Sequence, residues 1–374
     1  MVNQYIHIVS FNIPLPANYG GIIDVFYKLK ALKEEGVKII LHCFEYGRPH
    51  NDELLDYCEQ VYYYKRPKKI SKAFSTLPFI VNTRSNKELL DNLLKDNYPI
   101  LFEGLHTTYF IGNKLLDNRM KIIRSHNIEH HYYYELYLNE SNILKKIFFK
   151  KESEKLNNYE KNMLYANNLA AISKNDNDYL FNKYNKSFYL PAFHPNEKVL
   201  TKKGLGDYIL FHGNLSVNEN IQALQYLADN VFDNINYNIK IAGNNPSKSF
   251  TKLLLKHKNV EIIKNPDDDA MNKLIENAQI NLLFTFQDTG IKLKLLSSLF
   301  LGRHCLVNKI MVSNTELDDL CHIKDSPEEI IEAINSLMNV EITDELIDNR
   351  KNILNEFYSN KKNIQILINQ IFRI

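Results

Sequence analysis

Three short segments concentrate the side chains suited to chemistry. Arg124-Ser125-His126-Asn127-Ile128-Glu129-His130-His131 follows a run, Lys121 to Ser125, that reads as a strand. Histidine and glutamate at a strand's carboxyl end are placed for proton transfer or for hydrogen bonding to a substrate. His126 to His130 also spells HxxEH, an inverted zinc-peptidase motif. That chemistry needs both histidines on one helix face and a third ligand, for which Glu152, Glu154 and Glu160 are equally eligible. Glu103-Gly104-Leu105-His106 ends another strand-like run. Glu103 and His106 either face the same site or pair with each other. A purely structural histidine cluster is the plain alternative.

The other candidates are backbone cradles for an anion. Asn18-Tyr19-Gly20-Gly21 lies between a first strand and a first helix, where two glycines let the backbone approach a ligand. The chain has no GxGxxG and no Walker lysine there. In Phe211-His212-Gly213-Asn214-Leu215-Ser216, amides after Gly213 suit a phosphate. Ser216-x-x-Glu219 reads as a capping box. The third cradle runs from Thr285 to Leu296. An apolar strand, Ile280 to Phe284, meets a turn at Gly290 and a helix from Leu293, with Lys292 and Lys294 at the helix start. Two residues apart on a helix lie about 200° round the axis, so one lysine at most faces a ligand. Lys292, nearer the start, is favoured.

These candidates need parallel-sheet frameworks, and the chain supplies two. Strands are expected at Tyr5–Phe11, Val37–Phe44, Gln60–Tyr64, Pro99–Glu103, Lys121–Ser125, Asn168–Ser173 and Lys186–Leu190. Helices are expected at Ile22–Glu35 and Lys87–Lys95, with one long helix from Ser141 to Tyr165. Pro191, Pro195 and the polar run Lys198 to Asp207 read as a linker, after which the alternation restarts at Tyr208. Helices Asn218–Asn230, Phe250–Lys256, Asp267–Asn277 and Leu293–Leu301 alternate with strands at Asn238–Ala242, Val260–Ile263, Ile280–Phe284 and His304–Val307. The tail from Pro327 reads as helix broken near Asn360. This is the pattern of two doubly wound α/β domains, whose ligands bind beyond the carboxyl ends of the strands. A two-domain arrangement of that kind places the site in the cleft between the halves.

Composition narrows the function. The 374 residues carry 46 basic and 44 acidic side chains, a net charge of +2. Such balance argues against nucleic acid as a partner. Cys43, Cys58, Cys305 and Cys321 form no CxxC pair, which fits a reducing cytoplasm. The N-terminal segment has neither the basic start nor the long apolar core of a signal peptide, and no run is long enough to span a membrane. Lys145, Lys146, Lys150 and Lys151 flank Ile147-Phe148-Phe149 on a helix. That surface suits peripheral contact with anionic lipid; a solvated helix with one core face is the alternative.

In this order, the segments resemble the retaining nucleotide-sugar glycosyltransferases of family 4, over essentially the whole chain. SHNIEH, HGNLS and TGIKLKLL look most like a subgroup common in Bacteroidetes polysaccharide and glycoprotein gene clusters. The resemblance implies the GT-B architecture: two Rossmann-like domains facing each other across a cleft, with C-terminal helices crossing back. The corresponding division is 1–196 for the acceptor, 197–357 for the donor, and a returning helix at 358–374. It implies a UDP- or GDP-linked sugar as co-substrate, retention of configuration and no metal. The acceptor would be a glycan or lipid-linked glycan, met at the inner membrane face.

The resemblance places His126 near the sugar hydroxyls. Gly21 and Lys292 would stabilise the leaving diphosphate. Gly20, Gly213, Asn214, Asp288, Thr289, Gly290, Ile291, Lys294 and Ser297 would hold the donor. Glu103, His106, Asn127, Glu129 and His130 would face the acceptor. The family's E-x7-E glutamates fall at Thr289 and Ser297, and its phosphate-binding Arg and Lys at Asn214 and Glu219. Lys292 and Lys294 are the expected replacements for the charge, Asp288 or Ser297 for the ribose contact, and Arg124 and Arg303 further candidates from the cleft rims. The four substitutions also motivate a second reading, a non-catalytic relative that binds a glycan or a partner.

Overall fold

The computed structural model describes residues 4–67, 72, 75–287 and 292–372. The chain divides into two compact units. The first runs from the N-terminus to Pro195 and takes in the last helix; the second runs from Asn196 to Ser359.

The first unit holds β1 (Tyr5–Ser10), α1 (Gly20–Glu34), β2 (Lys38–Glu45), β3 (Gln60–Lys65), α2 (Phe79–Asn82), α3 (Lys87–Leu93), β4 (Ile100–Glu103), β5 (Lys121–Ser125), α4 (Glu129–Asn139), α5 (Ile143–Tyr159), β6 (Asn168–Ala171), α6 (Lys174–Tyr184) and β7 (Ser187–Tyr189). Its sheet is parallel, in the order β3-β2-β1-β4-β5-β6-β7. The order reverses at β1, so the loops after β1 and β4 open a crevice at the sheet's carboxyl edge. Strand residues alternate between two cores. Ile8, Leu41, Leu101 and Ile122 pack with Leu29 and Leu32 of α1. Val9, Phe102, Ile123 and Leu169 face the other way, onto Leu89 and Leu93 of α3 and Leu156 of α5.

The second unit holds β8 (Ile209–His212), α7 (Asn218–Asn230), β9 (Ile239–Gly243), α8 (Lys248–Leu254), β10 (Val260–Lys264), α9 (Asp268–Asn277), β11 (Ile280–Leu283), α10 (Leu293–Leu301), β12 (His304–Val307), α11 (Lys309–Val312), β13 (His322–Ile323), α12 (Pro327–Leu337) and α13 (Asp344–Phe357). Its parallel sheet has the order β10-β9-β8-β11-β12-β13, reversing at β8. Phe211 and Leu282 pack beneath α7 and α12. Leu210 and Leu283 pack on the opposite face against Leu295, Leu296 and Leu299 of α10.

Several elements differ from the sequence reading, which had no helix at α6 and no strand at β13. The His-rich segment contains α4, whose consecutive tyrosines (Tyr132, Tyr133, Tyr134) give no apolar stripe to betray a helix. The expected long helix ends at Tyr159, and residues 160–165 tighten into a 3-10 turn before β6. The tail breaks twice, because Thr343 caps a new helix by accepting from the Leu346 amide.

The last helix, α14 (Asn360–Phe372), belongs to the first unit and packs on α1. Ile364, Leu367, Ile368 and Ile371 recur at helical spacing and enter the α1 core. Leu367 is fully buried. Leu367→Ala should therefore cost about 2–5 kcal/mol, read as a lower urea midpoint.

Candidate functional site

The carboxyl edge of the first unit's sheet is built on a buried ionic network. Asp24 and Lys28 lie one turn apart on α1, within its otherwise apolar face. Lys28 Nζ donates to Asp24 Oδ2 at 2.9 Å and to Glu103 Oε1 at 2.6 Å. Arg124, fully buried, grips Asp24 with Nε and Nη2 at 3.1 and 2.9 Å, and donates to the carbonyls of Leu190 and Pro191. The Phe193 amide adds a bond to Asp24 Oδ1 at 2.9 Å. His126 Nε2 donates to Glu103 Oε2 at 2.9 Å, while its Nδ1 lies buried 3.9 Å from Asp24 Oδ2.

The network's charges balance, two carboxylates against an ammonium and a guanidinium. Burial opposes ionisation of Asp24, but Arg124 and Lys28 outweigh it and hold the carboxyl far below the usual range. Burial likewise opposes ionisation of Glu103, and Lys28 and His126 bring it below its ordinary value. Asp24, Glu103 and His126 lie close enough to ligate a metal. The ammonium and guanidinium already occupy the oxygens such an ion would use, so the trio reads as an ionic lock.

Next to the lock lies a second histidine–glutamate pair. Phe11, just past β1, stands 5.5 Å from the His126 ring and 5.6 Å from the His106 ring, centroid to centroid. Arg84 fixes the Phe11 backbone, donating to its carbonyl at 2.9 and 3.2 Å. His106 Nδ1 lies 3.6 Å from Glu129 Oε1. Burial pushes the Glu129 carboxyl up to about 8, which Arg84 only partly opposes. Burial, then Arg84, pushes His106 well down. Gly20 and Gly21 form the first turn of α1, whose N-cap Tyr19 supplies no side-chain bond. A Cβ at Gly21 would stand 2.9 Å from the Phe11 ring.

Several sequence expectations change here. Glu103 does not pair with His106 and does not face an acceptor, because it is fully buried with both oxygens engaged. Both ring nitrogens of His126 face inward, so it holds the wall of the crevice. Arg124 is no rim residue. Arg303 is tied to the carbonyls of Gly204, Glu276 and Ala278 at 2.8, 2.6 and 3.3 Å, and is not at a rim either. His130 belongs to another cluster: its Nδ1 lies 2.9 Å from Glu160 Oε2, and Lys183 reaches Glu160 Oε1 at 2.6 Å. Glu152 accepts from the Phe79 amide at 2.6 Å and from Lys155 at 2.8 Å. The HxxEH histidines thus serve two different carboxylates, and the zinc-peptidase reading falls. Asn127 contributes its carbonyl, which accepts from Ser125 Oγ at 2.9 Å.

The second unit's carboxyl edge carries the anion-binding candidates. Gly213 and Asn214 follow β8, and Asn220 Nδ2 donates to the Asn214 carbonyl at 2.9 Å. A Cβ on Gly243 would clash with the Gly213 carbonyl at 1.8 Å, so the loops after β8 and β9 touch backbone to backbone. Lys294 Nζ donates to Asn220 Oδ1 at 2.9 Å. Burial lowers this lysine to about 8, with Glu219 opposing the shift and Lys292 adding to it. Lys292 Nζ donates to the Gln287 carbonyl at 2.7 Å. Ser297 is half-buried and accepts from Asn196 Nδ2 at 3.4 Å. His212 Nε2 meets Ser298 Oγ at 3.0 Å, and burial followed by Lys294 lowers the ring to about 3. The capping-box expectation fails: Val217 is the N-cap of α7, Ser216 Oγ donates to Asn214 Oδ1 at 2.7 Å, and Glu219 Oε1 accepts from Thr285 Oγ1 at 2.6 Å. Asp288, Thr289, Gly290 and Ile291 lie outside the described residues.

Sequence reasoning passed over Asp24, Lys28 and Arg84. The legible signal was Asp24 and Lys28, charges set one turn apart among Ile22, Val25, Phe26 and Leu29.

Residues 206–340 match the family model for glycosyl transferases group 1. An uncharacterized 44.6 kDa protein in the cps region of Klebsiella pneumoniae is 27% identical over 382 residues, spanning 95% of this chain and 96% of that protein. A glycosyltransferase from Rickettsia africae ESF-5 is similar in structure at a TM-score of 0.66 and 13% identity, over 100% of both chains. An S. aureus TarM variant in complex with fondaparinux, α-GlcNAc-glycerol and UDP gives 0.64 at 12% identity, over 99% of this chain and 100% of that one. At such identities the structural likeness defines the fold, which is GT-B: two Rossmann-like units on parallel sheets.

Two outcomes follow from the first unit's electrostatics. Asp24→Ala leaves the buried Arg124 without its carboxylate, with Glu103 alone facing two cations, and should cost about 3–5 kcal/mol in urea unfolding. Glu129 is raised from 4.5 to about 8 on folding, so its contribution is fully present below pH 4.5 and is lost as pH rises toward 8. Glu129→Gln should therefore gain on the wild type in thermal melts as pH rises through that window.

Proposed function

We propose that this chain is a glycosyltransferase that moves a hexose-type sugar from a nucleoside-diphosphate sugar to a glycan or lipid-linked glycan, with retention. The observation that carries the reading is the match of residues 206–340 to the glycosyl transferases group 1 model. Those residues include the loop after β8, the start of α7 and the start of α10, where backbone amides and two lysines suit a diphosphate. The donor binds this second unit through Gly213, Asn214, Lys292, Lys294 and Ser297, and the acceptor binds the first. The UDP held by the TarM variant supports a nucleotide donor. The cps-region relative supports a role in surface polysaccharide or glycoprotein glycan synthesis.

A lipid-linked acceptor suits the surface of α5. Ile143 and Leu144 are 74% and 79% exposed beside Lys145, Lys146, Lys150 and Lys151, a combination that favours anionic headgroups. No described helix is long and apolar enough to cross a membrane.

One observation favours a binding protein without turnover instead. Glu219 places a carboxylate at the carboxyl edge of β11, bonded to Thr285, where a diphosphate would be repelled. Calorimetric titration with UDP and GDP separates the two readings. The transferase reading expects micromolar affinity for one nucleotide and slow hydrolysis of its sugar conjugate. A cooperatively melting protein that binds neither favours the other. Lys292→Ala should raise the Kd for the preferred nucleotide roughly ten- to a hundredfold, as loss of a charged hydrogen bond does. An unchanged Kd removes its phosphate role.

A further inference from the structure

We infer that His106, backed by Glu129, is the histidine of the first unit that contacts substrate, and that its partner is a sugar hydroxyl. The inference rests on the proposed glycosyl transfer and reassigns the substrate-facing histidine. His126 has no nitrogen to offer: Nε2 is bonded to Glu103 and Nδ1 is buried toward Asp24. His106 is built the other way. Its Nδ1 is buried without a hydrogen-bond partner, yet the side chain is 23% exposed, so the exposure falls on the rest of the ring. No group among the described residues bonds its Nε2, which is not fully buried, and so it is the accessible nitrogen.

Three features aim this ring. Gly104 takes φ of 71°, and a Cβ there would stand 2.8 Å from His106 Nδ1, so a glycine lets the imidazole fold back over the strand end. Phe11 tilts against the ring and offers an apolar face beside it. Glu129 Oε1, also buried and unpartnered, lies 3.6 Å behind Nδ1, just beyond a hydrogen bond and near enough to form one when the ring engages a ligand. Such a bond fixes which proton the other nitrogen presents.

The chemistry of the ligand follows from charge. Glu129 and His106 are both held toward their neutral forms. Arg84, the cation acting on both, spends its bonds on the carbonyls of Phe11 and Ile80. A neutral imidazole nitrogen at a crevice, beside an aromatic ring, matches a hydroxyl on a sugar whose C–H face rests on Phe11.

The test follows the His106 ring by two-dimensional NMR during titration with methyl α- and β-glycosides of glucose, galactose and mannose. At least one glycoside should shift the His106 signals, and His106→Ala should raise its Kd about five- to tenfold, the loss of one neutral hydrogen bond. Glu129→Gln should change the His106 ring-nitrogen shifts and weaken the same glycoside, leaving affinity for UDP or GDP unchanged. A wild-type ring that ignores every glycoside overturns the site, as does an unchanged Kd in His106→Ala. Nucleotide titration of the same sample reads the transferase proposal separately. Nucleotide binding with a silent His106 removes this site and leaves the activity; a responsive His106 with no nucleotide binding does the reverse.

Discussion

The first unit depends on a constraint that is costly in isolation: two carboxylates, an ammonium and a guanidinium share one dry pocket. Each ion loses its hydration, and their mutual attraction offsets that loss only while every partner is in place. The consequence is position rather than net stability. Asp24 and Lys28 fix the rotation of α1 over the sheet, Glu103 and Arg124 fix the ends of β4 and β5, and Arg124 and the Phe193 amide fix the chain beyond β7. The crevice residues inherit that placement, because Gly20 and Gly21 begin the locked helix and His106 and His126 follow the locked strands.

The second unit solves the same topological problem with less charge. Both units reverse strand order at their first strand, so both concentrate loops at one carboxyl edge. In the second unit the loop after β8 is held by neutral amides, Asn220 to the Asn214 carbonyl, and by the backbone contact of Gly213 with Gly243. Its Lys294 rests on Asn220, and no carboxylate among the described residues is bonded to it. A lysine depressed by burial gains most from an arriving anion, since the ligand restores the counter-charge that folding withheld. A balanced lock suits a rigid wall; an unbalanced lysine suits a place left for a ligand.

How much of this was legible follows from what a sequence encodes locally. Buried strands such as Ile280 to Leu283 and His304 to Val307, and the helix Leu293 to Leu301, read directly because their apolar runs and flanking turns are local. The helix α4 was hidden because Tyr132, Tyr133 and Tyr134 face every direction. The site was half legible. That chemistry gathers after β1, β4, β5 and β8 follows from topology, but which histidine faces outward depends on long-range partners. His126 lies 23 positions from Glu103, and Asp24 lies 100 from Arg124. No spacing rule joins residues that far apart. Ser216 and Glu219 show the converse: the four-residue signal was present, but Asn214 and Thr285 competed for the same side chains and won.

The two histidine–glutamate pairs show how identical residue types acquire opposite characters within one crevice. Glu103 meets the Lys28 ammonium at 2.6 Å, and that contact outweighs burial and keeps the carboxyl ionised. Glu129 is as deeply buried, but its nearest strong cation, Arg84, directs its hydrogen bonds at the carbonyls of Phe11 and Ile80. Without a donor bonded to it, Glu129 yields to desolvation and keeps its proton at neutral pH. His126 is consequently drawn inward by a permanent anion, while His106 stands 3.6 Å from an acid held toward its neutral form and makes no bond to it. The ionised character of the Glu103–His126 pair thus traces to Lys28 on α1, two turns of helix away from the glycines that begin it.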